Sequence, residues 1–170
     1  RAAKVNPRNA ATYAAWARLE EKAIIQFSST DSNIAENDNR RQRAINEARR
    51  LYGQALRAHP SNTRALTAWS RFELKRMNNA TGALRLLRQA SRVRSGGKRG
   101  GGYRGGCVDA MVFASLGEIY WRNLKDVEEA RTAFRRGIAV DSSHPRCYLS
   151  WANMEADKGN LDQARRLIQQ

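Results

Sequence analysis

One helical pattern organises this chain, and it is clearest in Ala48-Arg49-Arg50-Leu51-Tyr52-Gly53-Gln54-Ala55-Leu56-Arg57-Ala58-His59-Pro60. Its alanines and leucines fall at helical spacing and form one apolar face, while the arginines stay off that face. Pro60 is expected to end the helix, because proline has no amide hydrogen to donate. The frame returns at Ala83-Leu84-Arg85-Leu86-Leu87, Ala130-Arg131-Thr132-Ala133-Phe134 and Ala164-Arg165-Arg166-Leu167. Such recurrence predicts a repeat protein.

A second pattern precedes each copy of the first. It has an aromatic residue, a small residue directly after it, an apolar residue three positions on and usually a glutamate four positions on. Its copies are Trp16-Ala17-Arg18-Leu19-Glu20, Trp69-Ser70-Arg71-Phe72-Glu73, Phe113-Ala114-Ser115-Leu116-Gly117 and Trp151-Ala152-Asn153-Met154-Glu155. A helix with the aromatic residue and a helix with small residues would pack closely as an antiparallel hairpin. Hairpins in series predict an all-α fold, a right-handed α-solenoid.

The repeats predict a single array over residues 1–170, which we interpret as a fragment of a longer chain. Hairpins are expected at about 6–62, 63–94, 107–145 and 146–170, the last one incomplete. Insertions are expected at about 28–39, which opens with a polar run, and at about 95–106, which has the composition of a flexible Gly-rich linker. Asp38 or Asn39 could cap a helix that starts near Arg40. An insertion and an elongated first hairpin are both open for the first of these stretches.

The composition points to a polyanionic partner. Thirty-one Lys plus Arg against sixteen Asp plus Glu give a net charge of +15, which suits nucleic acid or an acidic protein or membrane surface. A highly charged solvated surface is the alternative. No stretch has the roughly 18 consecutive apolar residues of a membrane span. The cysteines, Cys107 and Cys147, form neither a disulfide framework nor a zinc ligand set and suit a reducing compartment.

The sequence offers no catalytic constellation. No serine, cysteine or aspartate has an activating partner at a recognisable spacing. His59 and His144 each precede a proline at a repeat end, where they are expected to be turn residues. The glycine pattern at 100–105 formally matches a dinucleotide fingerprint, but no predicted strand precedes it. We therefore expect no enzyme, no cofactor and no metal site.

The two patterns together resemble half-a-TPR (HAT) repeats, close relatives of the tetratricopeptide repeat (TPR). Gly117, Tyr120, Ala130 and Phe134 of the third hairpin look more like the tetratricopeptide pattern itself. HAT proteins have roles in RNA processing, and this chain looks most like plastid HAT factors that stabilise photosystem II transcripts. The resemblance implies single-stranded RNA as partner, an organellar mRNA to stabilise or process, and the plastid (chloroplast) stroma, with the nucleus as alternative. The rival hypothesis is a protein–protein interaction scaffold of an RNA-processing complex, and neither hypothesis involves a membrane.

One flank of the array is the candidate RNA-binding surface. Equivalent residues line up along a solenoid, so recurring arginines would form a ladder spaced for successive phosphates. Between Leu74 and Val108 the chain has many basic residues and no Asp or Glu, and an aromatic ring in this run could stack on a base. The predicted RNA-binding residues are Arg50, Arg57, Arg85, Arg88, Arg92, Arg94, Lys98, Arg99, Tyr103, Arg104 and Arg166.

Structural alternatives exist for these charges. The Gly-rich run could be a linker that merely carries counter-charges. Arg49 and Arg165, one position after the helix alanines, could pair with Glu20 and Glu155 of their own hairpins. The tryptophans are expected to be core anchors rather than platforms for bases.

Overall fold

The computed structural model describes residues 9–26, 34–93 and 110–169. In these ranges the chain is helical and contains no strand. The helices are α1 Ala10–Gln26, α2 Ile34–Ala58, α3 Thr63–Met77, α4 Ala80–Ser91, α5 Ala110–Ile119, α6 Val127–Val140, α7 Pro145–Asp157 and α8 Leu161–Ile168. The predicted all-α solenoid fold is confirmed. The predicted Gly-rich insertion, with Arg94, Lys98, Arg99, Tyr103 and Arg104, lies outside the described residues.

The helices pack as four consecutive hairpins, α1 with α2, α3 with α4, α5 with α6 and α7 with α8. The hairpins also pack on one another, since α2 contacts α3, α4 contacts α5, and α7 contacts both helices of the hairpin before it. One apolar cluster joins α1, α2 and the start of the second hairpin, and another runs from α3 to α8. The core is therefore continuous along the array, as a solenoid requires.

Asparagine and aspartate side chains set the turns between helices. Asn62 accepts a hydrogen bond from the amide of Ala65 at 3.0 Å. Asn79 accepts one from the amide of Gly82 at 2.9 Å, and Asn78 before it is left-handed with φ of 49°. Asp126 caps α6 in the same way. Each cap satisfies an amide that the helix itself leaves without an acceptor.

Two sequence-based boundaries need correction. α2 begins at Ile34, well before the predicted start near Arg40, so the polar stretch 34–39 is helical and belongs to an elongated first hairpin. Glu36 in the first turn suits the helix dipole and pairs with Arg40 one turn on. Pro145 does not end the third hairpin; it opens α7, where its missing amide hydrogen and fixed φ are tolerated.

The third hairpin has a glycine where the other hairpins have a glutamate, and an aromatic ring packs on this glycine. Gly117 stands where Glu73 and Glu155 stand in the neighbouring copies. A Cβ on Gly117 would lie only 2.5 Å from Cε1 of Phe134, so the ring of α6 occupies the space directly over this glycine. α5 then continues into a π-helical turn, Tyr120–Leu124, an irregularity that is frequent at functional sites.

Candidate functional site

An ion pair with a buried carboxylate joins the first hairpin to the second. Arg49 on α2 donates from Nε and Nη2 to the two carboxylate oxygens of Glu73 on α3, both at 2.8 Å. The same carboxylate accepts hydrogen bonds from the indole of Trp69 at 3.0 Å and from the amide of Asn79 at 3.1 Å. Every acceptor position of this buried glutamate is thus used inside the protein.

The junction between the third and fourth hairpins repeats these contacts. Arg131 on α6 donates to Glu155 on α7 at 2.7 and 2.8 Å. Trp151 and Asn160 complete the carboxylate shell at 2.9 and 2.7 Å. In both junctions the arginine precedes its glutamate by 24 residues. The second junction lacks the pair, because Leu84 takes the place of the arginine and Gly117 that of the glutamate.

This arrangement overturns the pairing within one hairpin that the sequence left open. Arg49 bonds to Glu73 of the next hairpin rather than to Glu20 of its own. Glu155 is taken by Arg131 of the preceding hairpin rather than by Arg165. The sequence carried a signal for the correct partner: where the arginine becomes leucine, the glutamate of the following copy becomes glycine. The pairs therefore hold hairpins together and neutralise the charges of Arg49 and Arg131 within the fold.

The hydrogen bonds shift the ionisation of both glutamates. At Glu155 the bonds from Arg131 outweigh burial and, with those from Asn160 and Trp151, lower the pKa to about 2. At Glu73 burial raises the pKa, but the bonds from Arg49, Trp69 and Asn79 together outweigh it and lower the pKa below its usual value. Both carboxylates are consequently charged at neutral pH, and their arginines stay bound.

A further ion pair links α5 to α7. Arg146 donates to Glu118 from Nε at 3.2 Å and from Nη2 at 3.0 Å, and the Ser150 hydroxyl donates to the same carboxylate at 2.7 Å. Burial raises the pKa of Glu118, and these bonds reverse the shift and lower it. Arg146 is thus another basic residue that is neutralised within the fold.

A depression lined by arginines runs along α4, and we call it the α4 groove. It consists of two adjoining hollows, of about 850 and 360 Å³, that share Arg88 and Arg92. We define it by its apolar floor, Leu56, Trp69, Leu84, Phe113 and Leu116, and by its rim, Arg85, Arg88, Arg92, Tyr120, Glu129 and Arg136.

The middle arginine of the rim has a fixed position. Arg88 donates to the hydroxyl of Tyr120 from Nε at 3.1 Å and from Nη2 at 2.7 Å. The same ring lies under the guanidinium, with its centroid 5.8 Å from Cζ. Tyr120 opens the π-helical turn, so this irregularity of α5 carries the side chain that orients Arg88. A neutral partner leaves the positive charge of Arg88 uncompensated.

The structure brings together only part of the predicted RNA-binding set. Arg85, Arg88 and Arg92 are exposed on α4 and line the groove. Arg50 is held by Glu47 through bonds of 2.8 and 2.6 Å. Arg57 and Arg166 are exposed but do not line the groove. The function of all these residues stays a prediction.

Sequence reasoning missed Arg136 on α6, which faces the groove from the third hairpin. Its repeat equivalent on α4 is Gln89, so the repeat frame contains no arginine ladder at this position. Arg136 reaches the groove only through the packing of the helices. Within the described ranges no cluster of metal-binding side chains occurs, and none of the helices there is long and apolar enough to cross a membrane.

Comparisons with known proteins support the fold. No protein-family model matches the chain, and no curated protein sequence matches it. PilF from Pseudomonas aeruginosa is similar in structure, with a TM-score of 0.68 over 98% of this chain and 19% identity. Two structures of MamA superpose with TM-scores of 0.57 and 0.54 over 90% and 93% of this chain, at 16% and 14% identity, and the chain covers 82% and 89% of their lengths.

These neighbours are TPR-like helical repeat proteins. The chain spans 61% of the PilF chain it matches. At such low identities the likeness concerns the fold alone. The resemblance proposed from sequence is confirmed at the level of a TPR-like helical repeat, while the likeness to plastid HAT factors stays a prediction.

Proposed function

We propose that this chain is a non-catalytic helical repeat scaffold whose α4 groove binds an acidic, amphipathic segment of a partner protein. The observation that carries the proposal is the pairing of an apolar floor with a basic rim in one depression. Leu56 and Trp69 are only partly buried by the protein and lie beside Arg85 and Arg92. An amphipathic helix laid in such a groove would bury its apolar face and direct its carboxylates at the guanidinium groups.

Each side of the groove has its own role in this binding. Burial of one leucine-sized anchor contributes about 1.5–3 kcal/mol, so the floor supplies affinity. Arginines at the rim steer the acidic partner and orient it, and fork-like guanidinium groups bind carboxylates with two hydrogen bonds. Arg88, already oriented by Tyr120, loses less side-chain freedom on binding than an unrestrained arginine would. Glu129 on the rim disfavours a segment that is acidic along its whole length.

Single-stranded RNA is the second candidate, favoured by the net charge of +15 and by arginines without acidic partners. Arg85 and Arg92 form no ion pair with any residue of the described ranges. RNA would use the rim through its phosphates and would need the apolar floor only where a base stacks. The sequence-based expectation of an organellar transcript, in plastid or nucleus, belongs to this candidate.

Charge reversal in the groove tests the proposal. We would measure binding of a fluorescent acidic amphipathic peptide to the variant Arg85→Glu, Arg92→Glu by anisotropy. The matched control is Arg57→Glu, Arg166→Glu, which changes the net charge equally on exposed residues outside the groove. The groove variant should bind at least about tenfold more weakly, a loss typical of oppositely charged contacts. Equal losses in both variants would mean general attraction by charge and would contradict a groove site.

The same proteins separate RNA from a protein segment. If four groove arginines engage phosphates, RNA binding should weaken with salt at a slope of about −3 on logarithmic axes. The proposed scaffold predicts that RNA binds weakly and loses affinity alike in the groove and control variants. Tight RNA binding that only the groove variant loses would favour the second candidate.

A further inference from the structure

The two hollows of the α4 groove expose different kinds of surface. In the first hollow, of about 850 Å³, Leu56 and Trp69 are only partly buried, so their apolar atoms are open to a partner. In the second hollow, of about 360 Å³, the apolar residues Phe113 and Leu116 are only 8% and 5% exposed and offer a partner little contact. The apolar anchor of a bound segment therefore belongs in the first hollow, and the second hollow has a different role.

Arginines from two hairpins meet at the second hollow. Arg88 and Arg92 lie one turn apart on α4, and Arg136 of α6 completes the lining from the next hairpin. Among the residues that the structure describes, no carboxylate forms an ion pair with any of the three. Residues 94–108, which lie outside the described ranges, include no Asp or Glu. The three guanidinium groups are therefore available to an anion.

The hydrogen-bond donors of this cluster suit an anion with several oxygens. Arg88 uses two of its N–H groups on the Tyr120 hydroxyl, and the other three of the five donors of a guanidinium group remain for a ligand. Arg92 and Arg136 are exposed and add their own donors. A carboxylate accepts through two oxygens, whereas a phosphate monoester accepts through three. Three guanidinium groups thus match the three oxygens of a phosphate monoester.

The charge of the lining also matches a phosphate monoester. Among the described residues, three arginines and one glutamate, Glu129, are the charged residues that line the second hollow, so its net charge is +2. A phosphate monoester carries a charge of about −2 near neutral pH. Glu129 precedes Arg136 by seven residues, which is about 10 Å along α6, so a second phosphate placed along this helix would meet the carboxylate and be repelled. This arrangement favours a single monoester over the successive phosphates of a nucleic acid.

We propose that the second hollow binds a phosphorylated side chain of the same acidic segment whose apolar face occupies the first hollow. The inference rests on the proposed function of the groove and adds a phosphoryl site to it. Arg88 and Arg92 line both hollows, so these two arginines contact both parts of the bound segment. Phosphorylation of the partner then strengthens its binding to the scaffold, and removal of the phosphate weakens it.

A phosphopeptide series tests this inference on the full chain. The acidic amphipathic peptide of the anisotropy assay would be compared with versions that carry one phosphoserine, or one glutamate, at each position of its polar face in turn. Phosphoserine at one position should tighten binding at least about tenfold. Glutamate at that position should tighten it less than about threefold, because glutamate carries one charge and two acceptor oxygens.

Two variants of the groove locate the phosphate. Arg136→Gln, which changes the second hollow alone, should bring the ratio of phosphorylated to unphosphorylated affinity below about threefold. The matched control Arg85→Gln changes the first hollow alone and should weaken both peptides by the same factor, so that the ratio stays as in the wild type.

The possible failures can be told apart. An unphosphorylated peptide that binds and gains nothing from phosphoserine at any position overturns the inference and leaves the groove proposal standing, whereas peptides that fail to bind in every form overturn both. Equal gains from phosphoserine and glutamate, or a ratio that Arg136→Gln leaves unchanged, would contradict a phosphoryl site in the second hollow. A single-stranded oligonucleotide that binds more tightly than the phosphopeptide and loses affinity with Arg136→Gln would assign this hollow to RNA instead.

Discussion

Arg131→Met removes the cation from a buried junction and leaves the rest of the contact in place. Methionine replaces the apolar stem of the side chain without its guanidinium, and Arg131 is itself about a quarter exposed, so little packing is lost. Glu155, which is fully buried, would keep only its bonds from Trp151 and Asn160. A buried charge deprived of its partner costs about 3–5 kcal/mol.

The pKa of Glu155 gives an independent magnitude. Arg131, the largest cause, lowers it together with Asn160 and Trp151 from 4.5 to about 2 against burial, and this net shift corresponds to about 3 kcal/mol for the whole carboxylate shell, at 1.36 kcal/mol per pH unit. The partly exposed pair of Arg131 with Glu128 adds little. We therefore expect Arg131→Met to lower the free energy of unfolding by about 3 kcal/mol, and the melting temperature by roughly 6–12 °C for a chain of this size.

Urea unfolding followed by circular dichroism measures this loss, and the repeat supplies the control. Arg165→Met makes the same substitution at the equivalent position of α8, where Arg165 pairs with the exposed carboxylate of Asp162. This variant should cost less than about 0.5 kcal/mol, as exposed substitutions do. A loss of under 1 kcal/mol for Arg131→Met, or equal losses for the two variants, would refute the junction as a source of stability.

Three further outcomes follow from the same contacts. Acid should destabilise the protein, because the pKa values of Glu73 and Glu155 lie below 4.5 in the fold. The two carboxylates stabilise the fold above that pH and lose their contribution as the pH falls toward 2. Urea midpoints measured across this pH range would show the loss. Gly117→Ala should cost about 1–3 kcal/mol of unfolding free energy, because its Cβ would overlap the Phe134 ring; an unchanged urea midpoint would contradict this. Gly53→Ala, whose Cβ would meet no described residue of another helix within 4 Å, should raise the free energy of unfolding by about 0.4–1 kcal/mol, and any loss there would show that the helix is constrained in another way.

The repeat frame could be predicted from sequence because packing demands it. An aromatic residue such as Trp69 and a small residue such as Ala48 recur wherever two helices approach closely, so their spacing reveals each hairpin. The length of α2 could not be predicted, because the stretch that begins it is polar and reads as a loop. Its helix is supported by a local ion pair and by the hairpin it joins.

The partners of individual charges depended on how hairpins pack. In the sequence, Arg49 has one repeat glutamate on each side, Glu20 in its own hairpin and Glu73 in the next. The packing of α2 on α3 brings Glu73 to Arg49. Arg136 lines the α4 groove because α5 packs against both α4 and α6 and so brings α6 close to α4. No local sequence pattern encodes this arrangement. Arg57 keeps the repeat position of Arg92 and still lies outside the groove.

The proposal that the α4 groove binds through its floor as well as its rim has a direct test. An acidic peptide with its leucines along one helical face would be titrated against a permuted peptide of identical composition. Because two buried leucines contribute about 3 kcal/mol or more, the amphipathic peptide should bind at least about a hundredfold more tightly. Equal affinities for the two peptides would show that charge alone attracts them, and would contradict a groove built for a partner helix.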